Sequence, residues 1–124
     1  MRLTLAIVLF MVTANTASAE TEITRRMMAM SETARNAAWT NALRESGETC
    51  DQVVRTLFQY TNATGDSWNV GCQDGSTYSI KVYADLNAKI IIISCKKLDA
   101  IMAELARRGG KDSRKEPPAC WVKY

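Results

Sequence analysis

The stretch SWNVGCQDGSTYSIKVY, residues 67–83, decides the fold, because two apolar alternations flank a turn whose length sets how they pair. Before the turn, Trp68, Val70 and Cys72 alternate with Asn69 and Gly71, as a half-buried strand does. After it, Tyr78, Ile80 and Val82 share one face, and Ser79, Lys81 and Tyr83 the other. A two-residue turn at Asp74-Gly75 would put Cys72 opposite Thr77 and set the apolar faces against each other. A three-residue loop, Gln73-Asp74-Gly75 with Gly75 left-handed, pairs Cys72 with Ser76, Val70 with Tyr78 and Trp68 with Ile80. All the apolar residues then share a face, so this hairpin is the expected one.

Working towards the C-terminus, Lys89 to Cys95 reads as a third antiparallel strand after a connection through Asp85-Leu86-Asn87-Ala88. The expected register pairs Val82 with Ile91, Ile80 with Ile93 and Tyr78 with Cys95. Tyr83, Ile90 and Ile92 then project from the second face of the sheet. The run Lys89-Ile90-Ile91-Ile92-Ile93 is apolar on both faces, and such a run needs a cover on the second face too. The N-terminal helical segment is the candidate within the chain; a macromolecular partner or a second copy is the candidate outside it. A last amphipathic helix is expected over Lys97 to Arg107, with Leu98, Ile101, Met102 and Leu105 on one stripe, stopped by Gly109-Gly110.

Working towards the N-terminus, Asn62 to Ser67 reads as a turn-rich loop. Thr49 stands as an N-cap before a helix over Cys50 to Tyr60, whose Cys50, Val53, Val54, Leu57 and Phe58 share a face. Residues 21–46 lack Gly and Pro and repeat Ile23, Met27, Met30, Ala34 and Ala37 at spacings of three or four, which predicts one long helix ended near Gly47. The chain opens with Met1-Arg2, an apolar run from Leu3 to Val12 and the small-residue site Ala17-Ser18-Ala19, the pattern of a secretory leader cleaved after Ala19. The organisation expected is therefore a signal peptide over 1–19, a helical arm over 20–46, and a disulfide-stapled α+β domain with a basic tail over 47–124. The fold class is α+β, with N-terminal helices, a three-stranded antiparallel meander, a C-terminal helix and two disulfides. No second apolar run reaches the length of a membrane span, so the product is expected to be small, soluble and exported: periplasmic in a Gram-negative host, secreted otherwise.

Export governs how the four cysteines are read, since an oxidising compartment favours disulfides over metal sites or catalytic thiols. In a meander, Cys72 and Cys95 sit on strands one and three, roughly 10 Å apart and beyond bridging distance. An antiparallel return of the helix from Cys50 brings that residue beside Cys72. The expected bridges are Cys50–Cys72 and Cys95–Cys120.

Chemistry-bearing candidates each have a structural explanation. Cys50 at a helix N-terminus would make a lowered-pKa thiolate, yet no C-x-x-C motif accompanies it. Met27, Met28 and Met30 form a thioether cluster of the kind that binds copper(I), but methionine is also common on a helix seam. Asp66, Asp74 and Asp85 invite a carboxylate hydrolase, and all three fall where turns need Asp. The chain has no histidine, which excludes Ser-His-Asp and Cys-His catalysis and any His-ligated metal. No cofactor is expected. Asn62-Ala63-Thr64 is a glycosylation sequon that matters only on a eukaryotic secretory route.

The net charge of +3 falls to +2 once Arg2 leaves with the leader, too little to point to nucleic acid. The basic residues Arg107, Arg108, Lys111, Arg114 and Lys115, with Trp121, form a second candidate interaction surface beside Tyr83, Ile90 and Ile92. The function expected is a non-enzymatic exported binding module. The alternative is a small redox or metal-handling factor using Cys50 or the methionines, or a hydrolase using surface carboxylates.

Overall fold

The computed structural model describes residues 19–85, 89–109 and 120. The expected leader lies outside the described residues, apart from Ala19. The element order is α1 (Glu22–Ala29), α2 (Glu32–Glu45), β1 (Val53–Asn62), β2 (Gly65–Cys72), β3 (Thr77–Tyr83), β4 (Ile90–Ser94) and α3 (Cys95–Arg107). The strands form one antiparallel meander in the order β1-β2-β3-β4. The α+β class holds, with four strands where three were expected.

The central hairpin follows from its turn. Cys72 N–H donates to Ser76 O at 2.8 Å and Gly75 N–H to Cys72 O at 3.0 Å, while Gly75 takes φ +90°, open to glycine at little cost. Trp68 pairs with Ile80 and Val70 with Tyr78. Asp74 Oδ1 accepts from Ser76 N–H at 2.9 Å and completes the turn.

Three elements differ from expectation. The single helix over 21–46 is two helices, because Ser31 leaves the helical path and caps α2 by accepting from Ala34 N–H at 3.2 Å. Arg35 then caps the end of α1, donating to Met27 O at 3.0 Å and Met30 O at 3.2 Å. The expected helix from Cys50 to Tyr60 is instead strand β1. Its residues Val53, Val54, Thr56, Phe58, Tyr60 and Thr61 are strand formers, and register shifts at Val53/Arg55 and Phe58/Tyr60 break the period-two pattern that would have announced it. With β1 extended, the loop expected over 62–67 shrinks to the turn Ala63-Thr64 between paired Asn62 and Gly65. Asn62 Oδ1 accepts from Thr64 N–H and Oγ1 at 3.0 and 2.7 Å. Gly65 has φ +139°, and a Cβ there would lie 2.0 Å from Val82 O.

The third difference is the register of β4. Val82 pairs with Ile90, Ile80 with Ile92 and Tyr78 with Ser94, one residue from the expected pairing. Tyr83 N–H donates to Lys89 O at 2.9 Å, so the connection holds five residues rather than four. A one-residue slip exchanges the faces. Ile90 and Ile92 therefore pack on the core side, and Ile91 and Ile93 take the second face. α3 starts at Cys95, capped by Ser94 Oγ, which accepts from Lys97 N–H at 3.2 Å.

One core binds the helices to the sheet. Trp39 and Leu43 of α2, Met27 of α1, and Val53, Trp68, Ile80 and Val82 of the sheet are all buried in it. Trp68 sits centrally, its ring 5.5 Å from that of Trp39 and 5.3 Å from that of Phe58, both tilted as aromatic quadrupoles prefer. The N-terminal helices thus cover the face bearing Trp68 and Ile80, not the second face for which they were the expected cover.

All four cysteines are bonded, Cys50 to Cys72 and Cys95 to Cys120, with Cα separations of 5.7 and 5.8 Å. Cys50 reaches Cys72 from the residues leading into β1, which pairs with β2, rather than from a returning helix. Each bridge is worth about 2–4 kcal/mol, a large share of the stability of a domain this small.

Candidate interaction surface

The pairing of the four strands assigns each paired side chain to a face. On the second face Tyr60, Ser67, Lys81 and Ile91 form one row, Leu57, Asn69, Ser79 and Ile93 a second, and Arg55, Gly71 and Thr77 a third. Small and polar residues run down the middle on β2, and larger ones stand on either side. Leu57 and Ile91 are each 36% exposed and Tyr60 42%. Since α1 and α2 occupy the opposite face, this one presents apolar and aromatic groups to solvent among the described residues. Lys81 is held across it, its Nζ 5.6 Å above the Tyr60 ring centre and 3.1 Å from Asn62 Oδ1. Ser67 Oγ donates to Gln59 Oε1 at 2.9 Å, which ties β2 to the bulged part of β1.

The expected interaction residues scatter. Tyr83 lies on the second face opposite Gly65 and is partly exposed. Ile90 and Ile92 do not share its face, for the register reason above. Arg107 and Arg108 are exposed at the end of α3, and both pair with Glu104, Arg108 at 3.1 Å. Lys111, Arg114, Lys115 and Trp121 lie outside the described residues. Leu57, Tyr60 and Ile91 were not singled out from the sequence; reading residues 53–62 as a strand was the signal that would have found the first two. Along α3, Leu98 and Met102 are half-buried, while Ile101 and Leu105 are exposed.

Of the catalytic and metal candidates, Asp66, Asp74, Cys50 and Met27 are engaged in the fold, while Asp85, Met28 and Met30 stand exposed. Asp66 is wholly buried at the start of β2, where Oδ2 accepts from Thr21 N–H at 2.8 Å and Thr21 Oγ1 at 2.7 Å, and Oδ1 from Thr61 Oγ1 at 2.6 Å. Trp68 Nε1 donates to Thr24 Oγ1 at 3.0 Å, and the Thr24 hydroxyl serves Asp66 in turn. Burial pushes the Asp66 carboxyl up, but the hydrogen bonds from Thr24, Thr61 and Thr21 together outweigh it and hold the pKa below the ordinary carboxylate value. A buried carboxylate thus clasps the N-terminus of α1, where the helix dipole also favours negative charge. Asp74 is held low by the Ser76 backbone N–H in its turn. Cys50 is oxidised, and of the three methionines Met27 is buried while Met28 and Met30 are exposed.

A groove of about 410 Å³ runs between α2 and residues 51–52, lined by Asn36, Thr40, Arg44 and Gln52 among others. Its polar groups brace α2 on β1: Thr40 Oγ1 accepts from Val53 N–H at 2.9 Å, and Arg44 donates to Asp51 O at 2.6 Å. Among the described residues no group of three acidic or cysteine side chains is placed to hold a metal, and no helix is long and apolar enough to cross a membrane. No protein-family model, curated protein or solved structure matches this chain.

Proposed function

We propose that this protein is an exported, disulfide-stapled binding module that engages a macromolecular partner through the second face of its sheet. The observation that carries the proposal is the contrast between the two kinds of candidate group. The buried carboxylate and the bridged cysteines are bound up in holding the fold, whereas Leu57, Tyr60 and Ile91 stand exposed on the face opposite α1 and α2. Two disulfides suit an oxidising compartment, in keeping with the leader-like opening of the chain.

The test is site-specific photo-crosslinking in the native compartment, with the photoreactive residue placed at Leu57, Tyr60 or Ile91, and at Glu32 or Asn41 on the helical side as controls. Adducts of one mass from the three sheet positions, absent from the controls, are the expected result. Adducts from Glu32 and Asn41 alone would sink the proposal. Intact-mass analysis of the same material should give a chain beginning at Glu20 with no cysteine alkylated before reduction, and a retained leader would remove the export half.

A further inference from the structure

The two edges of the sheet are built differently. β1 carries two register shifts, bears Arg55 and is packed by α2, all devices that blunt a strand edge. β4 pairs with β3 in unbroken register from Ile90 to Ser94, has four consecutive isoleucines and no charge, and not one of its residues is buried. An uncharged, unbulged edge of β-branched residues is the template on which an extended chain adds as a further strand.

Charge defines what would add there. Lys89 precedes β4, and Lys96 and Lys97 follow it in the first turn of α3; all three are exposed. α1 and α2 place Glu22 and Glu32 in their first turns, where the helix dipole favours an acid, but α3 has none and carries two lysines instead. The ion pairs along α1 and α3 centre on Glu22 and Glu104 and do not use these lysines. Lysines therefore stand at both ends of an apolar edge about 17 Å long, and at one end, where Asp74 lines the same recess as Lys96 and Asp99 follows on α3, the helix terminus adds to the two lysines. A second copy fits poorly: antiparallel pairing about Ile92 would set Lys89 of one chain opposite Cys95 of the other, next to its Lys96.

We infer that the β4 edge is a docking site for an extended segment of another protein, a strand of about five apolar or β-branched residues flanked by acidic ones, added antiparallel to Ile90–Ser94. The inference rests on the binding-module proposal and names the chemistry of its partner. Backbone hydrogen bonds to β4 supply the affinity. The flanking carboxylates, facing Lys89 at one end and Lys96, Lys97 and the α3 N-terminus at the other, supply the selection.

The experiment uses the oxidised exported protein and the capped probe Glu-Glu-Val-Thr-Val-Thr-Val-Glu-Glu, followed by fluorescence anisotropy. Two N-methylated versions, blocking the amides of alternate residues in the two possible phases, are the decisive controls, because a strand hydrogen-bonds its neighbour only through every second residue. One phase should abolish binding and the other should leave it nearly intact. Replacing the glutamates by lysines, or making Lys96→Glu with Lys97→Glu, should each weaken binding about fivefold or more at low salt. The double variant should also be at least as stable as the parent, so lost binding is not lost folding.

Binding left intact by both N-methyl phases would reduce the effect to nonspecific charge, and equal loss in both would mean a contact other than strand pairing; either would overturn the inference. So would equal binding of the lysine-flanked peptide, no binding at millimolar probe, or a protein that sediments as a dimer through β4. Any of these, with crosslinking at Leu57 and Tyr60 intact on the opposite edge, refutes the edge site and leaves the binding module standing. Loss of those crosslinks too refutes both.

Discussion

Strands β2 and β4 invert what their compositions suggest. β2 reads Gly, Asp, Ser, Trp, Asn, Val, Gly, Cys, and every one of these residues is buried; β4 reads Ile, Ile, Ile, Ile, Ser, and none is. The difference lies in position within the sheet. β2 is flanked by β1 and β3 and covered on one face by the helices, while on the other its small side chains are overhung by the larger neighbours Leu57, Tyr60 and Lys81. Its polar members are therefore paired internally, Asp66 to the α1 clasp and Ser67 to Gln59. β4 has a neighbour on one side only. Stability is concentrated where the sequence looks polar, and accessible apolar surface where it looks like core.

The largest break to that comparison comes from the middle of β2. Trp68→Ala removes the ring that meets Trp39 and Phe58 and the donor to Thr24, and should cost about 3–5 kcal/mol in urea unfolding. A loss under about 1 kcal/mol would mean that β2 is not the stabilising strand. Next comes Gly65→Ala, which demands a positive φ of an L side chain and sets a Cβ 2.0 Å from Val82 O, so β3 must give way. About 3 kcal/mol is expected, again by denaturant unfolding.

A smaller effect tests the clasp. Asp66→Asn puts an amide N–H₂ where an acceptor is required and should cost about 1–2 kcal/mol at neutral pH. Because the folded-state pKa of Asp66 lies below its ordinary value, its contribution is complete above about pH 4 and disappears as pH falls through the folded value. The stability gap between wild type and the Asn variant should therefore close on acidification. A gap that widened as pH fell would show that Asp66 is not the ionised partner of Thr21.

The hairpin of β2 and β3 was legible because its apolar residues alternate with polar ones and its loop contains a glycine, so only one loop length agrees with both strands. β1 was not, since two bulges erase its alternation and leave a three-four spacing that a helix also satisfies. The break between α1 and α2 was written in Ser31 followed by Glu32, but an Ala- and Met-rich run outweighs one capping residue when read locally. Of the candidate surface, Tyr83 was placed on the correct face, whereas Leu57 and Tyr60 were hidden inside the supposed helix. The clasp of Asp66 on Thr21 joins residues 45 apart and leaves no local pattern to read.

The smallest expected effect is the most discriminating for β4, because Ile90 to Ile93 are chemically identical and carry no parity signal of their own. Neighbouring substitutions can supply one. In the structure Ile92 packs against the core beside Ile80, and Ile91 stands 36% exposed beside Lys81. Threonine keeps the β-branch and the strand preference while replacing a methyl-bearing carbon by a hydroxyl, so it reports burial and little else. Ile92→Thr should cost about 1 kcal/mol or more, since it puts an unpaired hydroxyl against apolar neighbours. Ile91→Thr should stay within about 0.5 kcal/mol of wild type. The register expected from sequence, with Val82 opposite Ile91, reverses that order. A larger loss at Ile91 than at Ile92 would therefore return Ile91 to the core and put Ile90 and Ile92 on the second face, while the expected order would keep Ile91 beside Lys81 on that face.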